Sequence, residues 1–319
     1  MTKIFPRWVV ITIIAVVALG LGFSVVALLQ KQPTPAPNPV AQKVEKANPE
    51  RKVIGKSVEG RDIEAFTYRS NLTPDPSPKE RGGISISPSL SGRGPGGEVL
   101  LFVGGIHGGY EWNSVVLAYD LMDYLVANPD AIPANVHVTV IPNANPDGVF
   151  KVIGKEGRFT IADVPATGDQ SIGRLNADGV DLNRNFNCKW SPKGVWKGKS
   201  VGTGTGPFSE PEAMALRNYI LENKPNVAVF YHSQANAVYA SQCEKGILPE
   251  TTNIMNTYAK ASGYKAVPTF DSYAVTGASE DWLASQNIPA ITVELSSHKK
   301  VEWEKNLLGI TAIIDYYRR

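Results

Sequence analysis

From residue 99 onward, short apolar runs alternate with longer stretches of helical spacing. "VLLFVGG" (99–105) is a continuous apolar run closed by glycines, and "EWNSVVLAYDLMDYLVAN" (111–128) repeats apolar residues every three or four positions. "NVHVTVIPNANPDG" reads as a strand entering a turn, and "SEPEAMALRNYILENK" as a helix whose Ser209 and Glu212 have capping-box spacing. Further strands are expected at "NVAVFYHSQ" and "IPAITVELSS". Helices are expected at "TTNIMNTYAKAS", "TGASEDWLASQ" and "VEWEKNLLGITAIIDYYRR". Apolar strands separated by helices predict an α/β fold, a single domain with a mostly parallel mixed sheet flanked by helices.

Before residue 99 the pattern changes twice. "DIEAFTYR" contains a strand-like run from Ile63 to Tyr68, preceded by a glycine turn. Residues 70–98 are dense in Ser, Pro and Gly and offer no core, so a disordered surface insertion is expected between two strands. Residues 31–50 read as a flexible Pro-rich linker and leave no room for an activation pro-domain. Residues 1–30 carry Lys3 and Arg7 and then an uncharged, mostly apolar run from Trp8 to Gln30. That length predicts an N-terminal transmembrane helix, a single-pass membrane anchor with the domain at 51–319 outside. A cleaved signal peptide is the other reading, leaving the domain secreted.

Composition narrows the field. At 43% hydrophobic the 319-residue chain can bury a substantial core, and a formal net charge of +2 gives no basis for nucleic-acid binding. The only cysteines, Cys188 and Cys243, are free to pair in an oxidising compartment and are too few for a cysteine-built zinc site.

Ligands of open α/β sheets gather beyond the carboxyl ends of the strands. His107, His232 and Glu294 all fall there. The chain has four histidines. His137 alternates with valines inside a strand pattern, and His298 follows Glu294 by four, either solvated or backing the site. His107, Glu111 and His232 complete the donor count of a catalytic zinc site, two imidazoles and a carboxylate, with Gly108 and Gly109 allowing a tight path between the first two. From the residues alone, a glycine turn with an incidental histidine remains open. So does a solvated Glu294 paired with Lys299 or Lys300. Arg174 and Arg184 flank the turn-rich "GRLNADGVDLNRNFN", which suits either an anionic substrate terminus or a salt-bridged loop.

"GVDLNRNF", together with "NPDG", the His-Ser pair in "YHSQ", "TGASEDW" and the strand-end glutamate, resembles the zinc carboxypeptidases of the carboxypeptidase A-like M14 class. The resemblance covers residues 51–319 apart from the insertion. It implies one Zn2+ held by His107, Glu111 and His232, with Glu294 as general base and then proton donor. Arg174 is implied to polarise the scissile carbonyl, and Asn183 and Arg184 to hold the substrate's C-terminal carboxylate. Tyr273 resembles the tyrosine that closes over the bound residue. Glu280 resembles the specificity-pocket floor, where an acid goes with basic side chains; the alternative is a solvated carboxylate in a helix's first turn. The family motif has two residues between its first histidine and its glutamate, whereas "HGGYE" has three. The expected substrate is a peptide or muropeptide with a free C-terminal carboxylate, drawn from cell-wall peptidoglycan stems or from general peptides. An inactive wall- or peptide-binding domain is the non-enzyme alternative.

Overall fold

The structure is a computed structural model, and it describes residues 48–70 and 97–318. Twelve strands and six helices follow in chain order among the described residues. Strands β1 (Glu50–Lys56), β2 (Asp62–Arg69) and β3 (Glu98–Val103) precede helix α1 (Trp112–Ala127), β4 (Val136–Ile141) and α2 (Pro146–Ile153). A hairpin of β5 (Gly194–Trp196) and β6 (Lys199–Val201) leads to α3 (Pro211–Asn223), β7 (Val227–Ser233) and β8 (Ala237–Ala240). Next come the short β9 (Gln242–Cys243) and β10 (Gly246–Ile247), α4 (Pro249–Ser262) and β11 (Lys265–Val267). The chain closes with α5 (Ser279–Ser285), β12 (Ala290–Leu295) and α6 (Trp303–Tyr316).

Eight strands form one sheet in the order β1-β2-β4-β3-β7-β12-β8-β11. The interior pairs β4·β3, β3·β7 and β7·β12 are parallel, as is β11·β8, while β1·β2, β2·β4 and β12·β8 are antiparallel. Both faces are covered, so successive residues of one strand enter different cores. Leu100 and Phe102 of β3, with Val227 and Val229 of β7, pack against α1, α4 and α6. Leu101 and Val103, with Ala228 and Phe230, pack against α3 and α5. Two buried faces explain why these strands are continuous apolar runs without alternation.

Several expectations need correction. The membrane anchor rested on residues 1–30, which lie outside the described residues, as does most of the 31–50 linker. Among the described residues no helix is long and apolar enough to cross a membrane. The transmembrane helix, the membrane as a partner and the single-pass location are therefore withdrawn. The 70–98 insertion joins β2 to β3 as expected, but residues 71–96 also lie outside the described residues. Ser209 does not cap α3. The helix starts at Pro211 with Glu210 at the cap position and no side-chain cap, because Ser209 Oγ is committed to Asn185 and Glu210. Finally, the "NPDG" turn continues into α2, where Asn145 Oδ1 accepts the Gly148 N–H at 2.9 Å.

Candidate active site

Three strand ends and one tight turn assemble the centre of the molecule. His107 follows β3, and Gly108–Glu111 form a single 3-10 turn leading into α1. Gly108 has φ +46°, and a Cβ there would lie 2.6 Å from the Gly173 carbonyl oxygen, so only glycine fits. That turn absorbs the three-residue gap: His107 Nδ1 lies 2.8 Å from Glu111 Oε1. His232, the penultimate residue of β7, brings Nδ1 to 3.2 Å from His107 Nδ1 and 3.1 Å from Glu111 Oε2. All three side chains are buried.

This donor set fits a zinc ion. Tetrahedral ligands about 2.0–2.1 Å from zinc stand about 3.3 Å apart, close to the separations of the three donor atoms. The surrounding field also favours a cation. Burial disfavours the charge of Glu111, yet the two imidazoles hold its carboxyl well below the usual range. Burial opposes the His232 imidazolium, but Glu111, Glu280 and Glu294 outweigh it and raise the group to about 9. Burial and then the Glu111 charge push Glu294 up to about 8. Crowded carboxylates of this kind are relieved by a divalent cation.

Glu294 sits in β12 directly opposite His232 of β7. Its Oε2 is buried with no hydrogen-bond partner. A cavity of about 400 Å³ opens here, lined by His107, His232 and Glu294 together with Glu280 and Tyr273. Arg174, Asn183 and Arg184 line it too, so all the expected site residues except Glu111 face this one space; Glu111 lies behind His107 and His232.

The details redistribute some roles. Arg174 is buried, with Nη2 2.8 Å from Asp181 Oδ2 and Nη1 3.6 Å from Glu111 Oε1. Asn183 Oδ1 accepts from the Ser279 backbone at 2.7 Å, and its Nδ2 donates to Glu280 Oε1 at 3.3 Å. Asn183 therefore braces Glu280. Arg184 donates to the carbonyls of Asn183 and Val195 at 2.7 and 3.0 Å, leaving a buried Nε without a partner. Glu280 is not a solvated helix-end carboxylate. It is buried and accepts from Ser279 Oγ at 2.8 Å and Thr292 Oγ1 at 3.1 Å. Burial works against its charge, but His232 and these donors keep its carboxyl below the usual range. Tyr273 rests edge-on against Phe270, with ring centroids 4.8 Å apart.

Two participants escaped the sequence reading. Asp181, inside "GVDLNRNF", is buried, pairs with Arg174, and puts Oδ1 3.3 Å from His107 Nε2. A carboxylate behind a ligating imidazole fixes its tautomer and leaves the other nitrogen for the metal. The motif itself was the available signal. Ser233 donates its N–H to Glu111 Oε2 at 3.2 Å, and its hydroxyl contacts His298 Nδ1 at 2.7 Å. His298, half-buried, is thus joined to the cluster. His137 stays in β4, paired in register with Arg69 and outside this site. Cys188 and Cys243 form a disulfide, Cα–Cα 5.9 Å, which binds the loop carrying Lys189 to β9, where Gln242 lies; both residues line the cavity wall.

Residues 39–309 match the model of the zinc carboxypeptidase family, peptidase M14. The chain belongs to that family. A Lysinibacillus sphaericus protein described as gamma-D-glutamyl-L-diamino acid endopeptidase 1 is 27% identical over 50% of this chain and 42% of its own length. The chain thus spans about two fifths of that relative. Carboxypeptidase B of Astacus astacus is 28% identical over 64% of this chain and 72% of its own. Among solved structures, murein-tripeptide amidase MpaA from Escherichia coli O157 is similar in fold. It has a TM-score of 0.54 and 22% identity, over 86% of this chain and 93% of that one. The His107–Glu111–His232 cluster agrees with the single zinc site of the zinc carboxypeptidase family.

Proposed function

We propose that this zinc carboxypeptidase trims peptides by releasing a C-terminal residue whose side chain carries an amine. The observation that carries the reading is one cavity lined by the metal cluster's two histidines and by the buried, ionised Glu280, with Arg184 in the same wall. A zinc ion held by His107, Glu111 and His232 supplies Lewis acidity toward a carbonyl and acidifies water. Glu294 is the base beside it. With one carboxylate oxygen buried and unpartnered, it takes a proton from water and returns it to the leaving amine. Arg174, held by Asp181, directs its guanidinium to the same space and stabilises negative charge developing on the carbonyl oxygen. Arg184 turns its open Nε, and Asn183 its polar edge, to the substrate's terminal carboxylate. Glu280 receives the side-chain ammonium, and Tyr273 covers the mouth.

A second substrate reading has its own support. Lys189 lines the same cavity as Glu280. An ammonium facing a carboxylate across one pocket is complementary to a side chain that itself carries both an amine and a carboxylate, such as the diamino acid of a peptidoglycan stem. The Lysinibacillus sphaericus relative is described as acting at a diamino acid as well. General peptides ending in lysine satisfy Glu280 alone.

The test compares matched peptides with free and amidated C-termini. Release confined to the free form is expected, and equal cleavage of both overturns the exopeptidase reading. Glu294→Gln should lower kcat about a hundred- to ten-thousand-fold while zinc content, measured by elemental analysis, stays at the wild-type level.

A further inference from the structure

Arg174 lines the cavity, and a second group of side chains begins on that guanidinium's other contacts. The Trp196 ring centroid lies 4.4 Å from Arg174 Cζ, and Tyr110 meets Trp196 edge-on at 5.2 Å. His298 packs on Tyr110, with centroids 4.3 Å apart. Lys197 Nζ stands 5.2 Å from the Trp196 centroid and donates to Tyr110 Oη at 3.3 Å. None of these four residues lines the cavity that holds Glu280. Three separate parts of the chain contribute them: the turn before Glu111, the β5–β6 hairpin tip and the loop after β12.

Two of the four have unspent capacity. The hairpin turn is Lys197-Gly198, with φ of +48° and +76°, a geometry that favours asparagine or glycine at the first position. A lysine there is held out over the aromatic pair, exposed and, among the described residues, without a salt bridge. His298 is fixed through Nδ1 to Ser233, and Ser233 to Glu111, while its Nε2 is buried without a partner. Lys299 and Lys300, both exposed, add positive charge beside it. A flat wall, an unpaired ammonium and an open ring nitrogen therefore adjoin the metal cluster away from the Glu280 pocket.

A peptide whose last residue fills that pocket must lead its preceding residue past the cluster. We propose that Tyr110, Trp196, Lys197 and His298 form the subsite for that preceding residue, and that it takes a residue bearing a carboxylate. Lys197 pairs with the carboxylate, the aromatic rings carry the backbone, and His298 Nε2 meets a peptide polar group. The proposal rests on the carboxypeptidase reading above and adds a preference on the acyl side of the cut bond.

The experiment uses the full zinc-loaded chain and free-acid peptides ending in Glu-Lys, Gln-Lys or Lys-Lys, with kcat/KM read for each. The wild type should favour Glu-Lys over Gln-Lys by about threefold, the scale of an exposed ion pair, and added salt should shrink the ratio. Lys197→Glu should invert the order, favouring Lys-Lys, with an unchanged unfolding midpoint because the side chain is exposed. Trp196→Ala should lower kcat/KM on all three peptides and leave the Glu-to-Gln ratio in place. Lysine release at an unchanged Glu-to-Gln ratio in Lys197→Glu overturns the subsite and leaves the carboxypeptidase reading standing. No lysine release from any peptide by the wild type overturns both.

Discussion

The metal cluster and the pocket for the released residue share one cavity but are built by different means. The cluster hangs on strand ends and on a turn that its own backbone dictates: His107 after β3, His232 in β7, and Gly108 pressed against Gly173 with no room for a side chain. The pocket takes much of its wall from loops, with Glu280 on α5 and Thr292 on β12 as its fixed side. Lys189, Tyr273 and Thr276 lie outside regular structure, and the wall is drawn together by the Cys188–Cys243 bond. Rigid parts hold the chemistry, where small displacements cost rate, and loops hold recognition, where variation is tolerated.

The largest test of that contrast is to cut the clip. A disulfide closing a loop over a separation of 55 residues contributes about 4 kcal/mol on the chain-entropy account. Cys188→Ser with Cys243→Ser should lower unfolding stability by about 2–4 kcal/mol in urea melts. KM for a lysine-ending peptide should rise, while zinc affinity by isothermal calorimetry stays near wild type. Equal damage to zinc affinity and KM would show that cluster and wall are one mechanical unit.

A substitution on the cluster's side should do the reverse. Asp181→Asn removes the charge behind His107 and the partner of Arg174. Zinc affinity is expected to fall about 10–100-fold, the usual cost of losing a carboxylate behind a ligating histidine. Because Asp181 does not line the pocket, the preference for lysine over alanine at the released position should persist. A lost preference with zinc affinity intact would place Asp181 with recognition.

The same contrast explains what could be read from the sequence. The sheet was legible because its inner strands are buried on both faces, which forces runs such as "VLLFV". His107, His232 and Glu294 were legible because polar groups closing such runs stand out, and Glu111 because it follows His107 by four. The tight path through Gly108 and Gly109 was legible too, but the reason Gly108 must be glycine was not, since it comes from Gly148 and Gly173, which are distant in sequence. Asp181 looked like one acid among many in a turn-rich loop; only folding buries it behind His107. The β5–β6 hairpin was missed because its strands are three residues long and mostly exposed. Ser209 misled because its hydroxyl had a tertiary partner stronger than the local cap.

The smallest expected effect concerns the charge of the pocket itself. Glu280 and Asp281 are neighbours in α5, yet they diverge. Glu280 is held ionised, while burial and then the Glu280 charge push Asp281 up to about 7. An unfolded aspartate titrates near 3.9. Between about pH 4 and pH 7, folded Asp281 keeps a proton that the unfolded chain has released, so stability falls as pH rises through that window. Asp281→Asn keeps an acceptor for the Gln242 N–H, which Asp281 Oδ1 accepts at 2.9 Å, and cannot ionise. The variant should match wild type at pH 4, gain on it steadily through neutrality and level off above about pH 7 in urea melts. It should also keep the preference for lysine-ending peptides, since Glu280 and not Asp281 carries the negative charge that meets the ligand's ammonium below neutrality. Parallel stability curves for the two proteins from pH 4 to 8 would mean that Asp281 ionises like an exposed aspartate. The pocket would then present two negative charges to its ligand.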